Sequence, residues 1–219
     1  MEEQMKAART SIASCLILLF FLFSLSAQEY NSTLIEILSN TKSIKTNFIQ
    51  RNFDNNGILL HTATGYFTMK RPGFLRWEVI KPEHTLLIID EEKIWNYDEA
   101  LEQVTFQKIA QQVIQSPVYL LLIGNANNLE NQYHITQVKN HSYLQKTEIC
   151  FELTPKQVEK EFQRVQLGFC SELICYLRLL DQFGQQSEFK FQNLEQNISL
   201  PGKLFQFIPP KKVDIIGLI

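Results

Sequence analysis

The 219-residue chain is 45% hydrophobic and 20% charged, the balance of a globular protein with room for one sizeable domain. Its formal net charge of −2 gives no basic surface of the kind that draws a protein to nucleic acid, and that function class is excluded. Aromatic residues make up 11% of the chain, with sixteen phenylalanines, so a large ring surface has to be packed.

An export signal comes first along the chain. Residues 16–25 form a largely apolar run that follows two basic residues and precedes small ones, the order typical of a secretory signal peptide. The run is too short to cross a bilayer as a helix. We therefore predict a cleavable signal peptide over residues 1–27 and a single domain over residues 28–219, with an uncleaved anchor as the alternative. Acidic residues before Met5 suggest that translation starts there.

The cysteines indicate an oxidised, unlipidated protein. A lipoprotein needs a cysteine just after its apolar run, whereas Cys15 comes just before it. Cys170 and Cys175 flank a predicted hairpin connection, and disulfides are permitted outside the cytoplasm, so the spacing allows a bridge. The alternative is that these two and Cys150 are small buried apolar side chains.

The mature chain begins with a helix and continues with strands. Thr33 and Glu36 have capping-box spacing, which predicts a short amphipathic helix. From Ile44 onward the hydrophobic period is two, typical of an antiparallel sheet. The apolar tail at residues 213–219 is expected to pair with the sheet or pack against it. Predicted strands cover residues 65–70, 75–79, 85–89, 93–98, 101–106, 133–138, 143–153, 161–169, 173–180, 188–194 and 204–208.

Two short helices interrupt the strands after the fifth of these predictions. Ile109 and Val113 share one helical face, and Pro117 opens a second helix that carries Leu121 and Leu122. A large antiparallel sheet must close or cover its apolar face. The helices are therefore either ordinary core packing or a lid over a lipid cavity, and the pattern alone slightly favours packing.

The sequence contains no recognisable catalytic or metal motif. The four histidines are far apart and lack metal-ligand spacing, and no Gly-x-Ser-x-Gly, Walker or dinucleotide fingerprint occurs. The adjacent Glu91 and Glu92 fit a solvated turn. These observations favour a binding protein without metal or cofactor over an enzyme.

Taken in order, several segments resemble the LolA family of periplasmic outer-membrane lipoprotein carriers. The resemblance begins at Phe48-Ile49-Gln50 and is strongest over residues 65–77, GYFTMKRPGFLRW, with its Lys-Arg-Pro motif. It continues through IWNYD at residues 94–98 and ends at FQFIPP, residues 205–210. Order and spacing together carry the resemblance, which covers nearly the whole mature chain.

This resemblance implies a fold and a function. The fold is a mainly β, incomplete and strongly curved antiparallel barrel, covered by a helical lid, around an apolar cavity for acyl chains. The implied partners are acylated lipoproteins as cargo, an inner-membrane ATP-driven ABC exporter that supplies them and an outer-membrane receptor that accepts them. The carrier itself is expected to be a periplasmic monomer.

Individual residues acquire expected roles from the same resemblance. Arg71 of the Lys-Arg-Pro motif is implied to hydrogen-bond the lid when the carrier is empty, which suits a guanidinium with five donors. Strand parity then predicts the cavity lining, although each position could equally be ordinary core. The predicted lining is Phe67, Met69, Leu75, Trp77, Leu87, Ile89 and Trp95, with Ile109, Val113, Pro117, Leu121 and Leu122 in the lid.

Two other functions are compatible with these observations. A lipid-sensing or regulatory domain could use the same fold to bind a partner protein. A secreted lipid-processing enzyme would belong to another class, and turnover of acyl esters would reveal it.

Overall fold

The structure, a computed structural model, describes residues 33–90, 92–109, 129–138, 149–157 and 162–217. In this part of the chain a helix (α1, residues 33–40) precedes a sheet of twelve strands. A four-residue helix (α2, Leu129–Gln132) and a 3₁₀ helix (η1, Gly202–Phe205) are also present. The strands are β1 (Ser43–Phe53), β2 (Leu59–Lys70), β3 (Phe74–Lys81), β4 (Thr85–Ile89), β5 (Lys93–Asp98), β6 (Gln103–Lys108), β7 (Tyr133–Gln137), β8 (Ile149–Pro155), β9 (Phe162–Cys170), β10 (Leu173–Asp181), β11 (Gln186–Gln196) and β12 (Asp214–Gly217).

The sheet is open and curved. Its strand order is β12-β6-β5-β4-β3-β2-β1-β11-β10-β9-β8-β7, so β12 and β7 are its two edges. One buried cluster joins side chains from strands that lie far apart in this order, such as Ile89 of β4 and Leu153 of β8. The sheet must therefore wrap around that cluster, which defines its concave face. The prediction of a mainly β, incomplete and strongly curved barrel is confirmed.

Helix α1 covers part of the concave face. Leu34 and Leu38, four residues apart and therefore on one side of the helix, are 0% and 5% exposed in the central cluster. Glu36 lies on the other side and is exposed. The predicted amphipathic helix is confirmed. No helix in the described ranges is long and apolar enough to span a bilayer.

Strand β2 shows how alternation separates the two faces. Phe67 and Met69 are each 1% exposed on the concave face, whereas Tyr66 points the other way and is 51% exposed. A Cβ atom on Gly65 would lie 1.9 Å from the carbonyl oxygen of Glu78 on the neighbouring strand. Glycine is therefore required where β2 and β3 approach each other.

The outer face of β3 to β6 carries a second apolar layer. Ile88 is fully buried there, although its neighbours in sequence face the concave side. The C-terminal segment crosses this layer and covers it. Phe205 of η1 lies against Phe74, with ring centroids 5.4 Å apart. Phe207 lies against Trp95, with a centroid distance of 5.6 Å.

This covering segment corrects one predicted strand. Residues 204–208 were expected to be a strand, but they include the end of η1 and continue without joining the ladder. Pro209 and Pro210 follow directly and have no N–H to donate, so strand pairing could not continue there. The tail does pair with the sheet as predicted, because Asp214–Gly217 runs parallel to β6.

The first strand and the eleventh strand pair at the centre of the sheet, although they are far apart in the sequence. Strand β1 pairs with β11, and the Thr46 hydroxyl donates to the carbonyl of Gln192 at 2.8 Å, a residue 146 positions away. Nearby, the Ser43 hydroxyl donates to the Ile198 carbonyl at 2.7 Å. Side-chain hydrogen bonds thus fasten this pairing beyond its backbone ladder.

Candidate acyl-chain site

Aromatic rings form the middle of the concave face. Trp77 of β3 lies 4.4 Å from Phe48, 5.3 Å from Phe67 and 5.2 Å from Phe189, measured between ring centroids. Phe191 extends the group at 6.1 Å from Phe67. These distances are typical of favourable aromatic pairs. Because β3, β2, β1 and β11 are consecutive in the sheet, the rings form one continuous apolar surface, which we call the ring cluster.

Six of the seven predicted lining positions share this face. The pairing of β2 with β3 and of β3 with β4 aligns them in two rows across the three strands. All six belong to the central cluster or pack against it, with Trp77 and Leu87 only partly buried. Their contact with acyl chains stays a prediction. The rows are Met69-Leu75-Ile89 and Phe67-Trp77-Leu87.

The seventh position, Trp95, was assigned to the wrong face. The hairpin between β4 and β5 pairs Ile89 with Ile94 and Ile88 with Trp95. Ile94 is therefore the residue of β5 that enters the central cluster, and Trp95 packs in the outer layer. A shift of one residue exchanges the two faces of a strand, which is how the prediction failed.

Asp90 fixes both this hairpin and the direction of Trp95. One carboxylate oxygen accepts hydrogen bonds from the backbone N–H groups of Glu92 and Lys93, at 2.8 and 2.6 Å. The other oxygen accepts the indole N–H of Trp95 at 3.2 Å. A single carboxylate therefore sets the turn, the register and the outward position of the tryptophan.

Arg71 lies at the end of the concave face, in the turn between β2 and β3. Its backbone N–H donates to the carbonyl of Lys42 at 2.9 Å, and Gly73 in the same turn has a φ of 83°. Partial burial lowers the pKa of the Arg71 guanidinium, because desolvation disfavours its charged form. The turn places Arg71 after the last pair of this ladder, Lys70 with Phe74, which follows the pair Met69 with Leu75.

The predicted lid is described only at its first residue. Ile109 follows β6, is partly buried and packs against the central cluster. Its backbone N–H donates to the carbonyl of Glu92 at 3.1 Å. The other predicted lid residues lie outside the described residues; they are Val113, Pro117, Leu121 and Leu122.

Cys170 and Cys175 form a disulfide, with Cα atoms 5.8 Å apart. A two-residue turn joins their strands, with positive φ at both Ser171 and Glu172, the geometry of a tight hairpin. The ladder between β9 and β10 shifts between Ile174 and Tyr176, so Cys175 is a bulged residue. Cys150 is buried and unbridged, and burial raises the pKa of its thiol to about 11.

A charged network on the outer face was not predicted from the sequence. Glu78 accepts hydrogen bonds from Arg76 at 2.8 Å and bonds to His84 at 3.2 Å, and the other nitrogen of His84 lies 2.8 Å from Glu99. Partial burial acts to raise the pKa of Glu78, but the bonds from Arg76 and His84 together hold it below its usual value. Within the described ranges, no three His, Cys, Asp or Glu side chains are grouped to hold a metal ion.

An open sheet that encloses an apolar, ring-lined concave face defines a class of proteins that hold apolar ligands. The family described as outer membrane lipoprotein carrier protein LolA matches residues 39–208 of this chain. The chain belongs to that family.

Relatives of high coverage carry the same description. An outer-membrane lipoprotein carrier protein of Nitrosospira multiformis is 37% identical over 205 residues, which cover 93% of this chain and 96% of the relative. A protein of the same name from Dechloromonas aromatica is 35% identical over 205 residues, covering 94% of each.

A solved structure shares the fold. The crystal structure of an uncharacterized conserved protein from Thermus thermophilus is 14% identical, covers 88% of this chain and 99% of its own, and has a TM-score of 0.51.

Proposed function

We infer that this chain carries lipoproteins by shielding their acyl chains against the concave face of its sheet. The ring cluster around Trp77, in a member of a lipoprotein carrier family, is the observation that supports this role. Burial is worth about 0.8 kcal/mol per methylene, so a chain of about sixteen carbons represents on the order of 10 kcal/mol. Lipoproteins therefore need such a carrier to cross an aqueous compartment.

The two cross-strand rows supply the proposed contacts with the acyl chains. They face the same side as the ring cluster and extend it over β4, which gives the long apolar surface that an acyl chain requires. Trp95 is left out of this set because it lies on the outer face. The proposed contacts are Phe67, Met69, Leu75, Trp77, Leu87 and Ile89.

Arg71 is the proposed latch of a lid that closes the empty carrier. Its position beyond the Met69 and Leu75 pair and its partial burial suit a guanidinium that holds covering backbone carbonyls. The free energy of the closed state is subtracted from cargo binding, so the latch weakens net affinity and lets a receptor take the cargo. The proposed lid comprises Ile109, Val113, Pro117, Leu121 and Leu122.

The proposed pathway runs across the periplasm. A signal peptide over residues 1–27 exports the domain at residues 28–219. The domain then accepts acylated lipoproteins from an inner-membrane ABC exporter and delivers them to an outer-membrane receptor. It acts as a monomer, by binding alone and without a cofactor.

Release from membranes tests the carrier role. Spheroplasts, or proteoliposomes that contain the exporter and a tagged lipoprotein, are incubated with ATP and the mature protein. The expected result is a soluble one-to-one complex in gel filtration. Lipoprotein that stays with the membranes at every carrier concentration contradicts the proposal.

The same assay, followed by addition of receptor membranes, tests the latch. Arg71→Leu is expected to fold and to accept lipoprotein but to stall at transfer, because the closed empty state no longer competes with cargo. Arg76→Leu, which removes an arginine from the outer face, is the matched control and should transfer normally. Wild-type transfer by Arg71→Leu contradicts the latch.

A further inference from the structure

Strand β2 extends beyond its neighbour β3. On one side β1 pairs with β2 from Leu59 to Lys70, with a bulge at Leu60. On the other side β3 pairs only from Thr64 onward, and the register shifts at that point. Pro82 follows β3 directly and has no N–H to continue the ladder. In the described part of the chain, residues 59–63 therefore form one backbone edge without a partner strand, about 17 Å long at the usual rise per residue, which is exposed from Leu59 to Thr62 and buried at Ala63.

The side chains around this edge are apolar and exposed. Ile58, Leu59 and Leu60 are 61%, 50% and 61% exposed, and Phe183, in the turn between β10 and β11 on the other side of β1, is 80% exposed. The two hairpin tips touch, since a Cβ atom on Gly184 would lie 3.2 Å from that of Asn55. Isolated exposed apolar residues are ordinary, but three consecutive exposed apolar residues beside an unpaired edge are typical of an interaction site.

The edge also continues the concave face. Moving along β1 from the ring cluster, Phe48 is followed on the same face by Gln50 and Asn52, and Asn52 pairs with Ser187 and His61. Asn52, Ser187 and His61 line a pocket of about 210 Å³ that also contacts Leu60, Phe162 and Leu179. The concave face thus becomes more polar toward the hairpin between β1 and β2, and it reaches the unpaired edge at Leu60 and His61.

We propose that residues 59–63 bind the extended peptide that follows the lipidated cysteine of the cargo, as an added strand. This inference rests on the proposed carrier function and adds a peptide subsite to it. The unpaired N–H and C=O groups can hydrogen-bond to the backbone of an extended peptide, and Leu59 and Leu60 would pack on the side chains of that peptide. Because a backbone ladder does not read sequence, such a subsite would accept lipoproteins with unrelated N-terminal segments.

The size and chemistry of the edge favour this occupant over two others. Hydrocarbon cannot satisfy unpaired backbone groups, which argues against a membrane surface. A stable dimer interface buries about 1,200 Å² or more, and a five-residue edge is too small to supply it. A peptide tethered by bound acyl chains needs little affinity of its own, because the tether gives it a high effective concentration.

Hydrogen exchange of the mature protein tests the subsite. The probes are a synthetic lipopeptide, with a triacylated cysteine and six further residues, and the triacylated cysteine amide without peptide. Binding of each is measured independently by quenching of tryptophan fluorescence. We expect the lipopeptide to protect alternate amides within residues 59–63 and the cysteine amide to leave them unprotected.

The outcomes separate the subsite from the carrier role. Binding of the lipopeptide without protection of residues 59–63 overturns the subsite and leaves the carrier role intact. Failure of both probes to bind overturns the carrier role and the subsite with it. Equal protection by phospholipid vesicles without cargo, or protection that grows with protein concentration alone, overturns the subsite in favour of a membrane surface or a second copy.

Two further lipopeptides test recognition through the backbone. One has the six residues scrambled and should bind as the original does. The other has prolines at alternate positions, which removes N–H donors, and should bind roughly three- to tenfold more weakly because each lost hydrogen bond contributes modestly. Equal affinity of the proline and original peptides contradicts a strand-like mode of binding.

Discussion

Both faces of strands β3 to β5 carry aromatic side chains, yet these are covered in different ways. On the concave face, Trp77 packs among three phenylalanine rings. On the outer face, Trp95 packs against Phe207 and donates its indole N–H to Asp90. The outer layer is sealed by the protein's own C-terminal segment and fixed by a directional hydrogen bond. Hydrophobicity alone therefore does not identify a ligand site, and what covers the surface has to be considered too.

Matched tryptophan substitutions give the largest expected difference between the faces. Trp77→Gln should reduce lipoprotein release from spheroplasts about a hundredfold, because an amide in the ring cluster costs roughly 2–3 kcal/mol of acyl-chain binding. Trp95→Gln should leave release by the folded protein within about twofold of wild type, while lowering its free energy of unfolding. Equal loss of release in both variants would remove the functional distinction between the faces.

Removing a side chain of the C-terminal segment that covers the outer face should lower stability without changing lipoprotein release. Phe207→Ala deletes the ring that packs on Trp95 and Tyr97, and should lower the free energy of unfolding by about 2–3 kcal/mol in urea titrations. Ile208→Ala is the control, since Ile208 is 84% exposed, and should change it by less than about 0.5 kcal/mol. A Phe207→Ala variant that is as stable as wild type but defective in release would mean that the outer face also binds cargo.

The disulfide lies in neither apolar layer, so its removal serves as a comparison for both. Replacing Cys170 and Cys175 together by serine opens a short loop and should lower the free energy of unfolding by about 2 kcal/mol. Release should be unchanged at temperatures where the variant is folded. Wild-type protein in dithiothreitol should show the same shift in its urea midpoint, and a reduced protein that loses release would link the hairpin to function.

The smallest effect is expected at the charged network of the outer face. The pKa of Glu78 lies below its ordinary value, so its contribution to stability is present above the ordinary pKa of 4.5 and is lost as the pH falls through the folded-state pKa. Glu78→Gln should lower the free energy of unfolding by only about 0.5 kcal/mol at pH 7. The effect is small because the carboxylate is partly exposed and solvent screens its ion pairs. The difference from wild type should shrink toward pH 3, and a constant difference would assign the effect to packing.

Much of the fold could be predicted from the sequence because apolar residues recur regularly along its strands. Alternation over residues 65–70 and 75–79 correctly predicted the hairpin that carries Phe67 and Trp77. Arg71 of the Lys-Arg-Pro motif lies in the turn between these strands. Local signals of this kind depend on neighbouring residues only, so a single sequence contains them.

The two wrong predictions, the face of Trp95 and the strand at residues 204–208, have a nonlocal cause. In β5, Trp95 and Tyr97 alternate like an inward apolar pair, and only the segment around Phe207 shows that the outer face is apolar as well. Residues 204–208 alternate like a strand for the same reason, because Phe205 and Phe207 pack on the sheet from outside. The alternation of apolar residues shows that a strand has an apolar face. It does not show which distant segment of the chain covers that face.

The pairing of β1 with β11 has a consequence for how this protein is made. Synthesis from the N-terminus delivers Thr46 long before Gln192, its hydrogen-bond partner 146 residues later. The pairing at the centre of the sheet therefore cannot form until the chain is almost complete, and contacts of such separation also slow folding. Until then Phe48 of β1 and Phe189 of β11 cannot come together on the concave face, so the ring cluster is among the last parts of the molecule to be assembled.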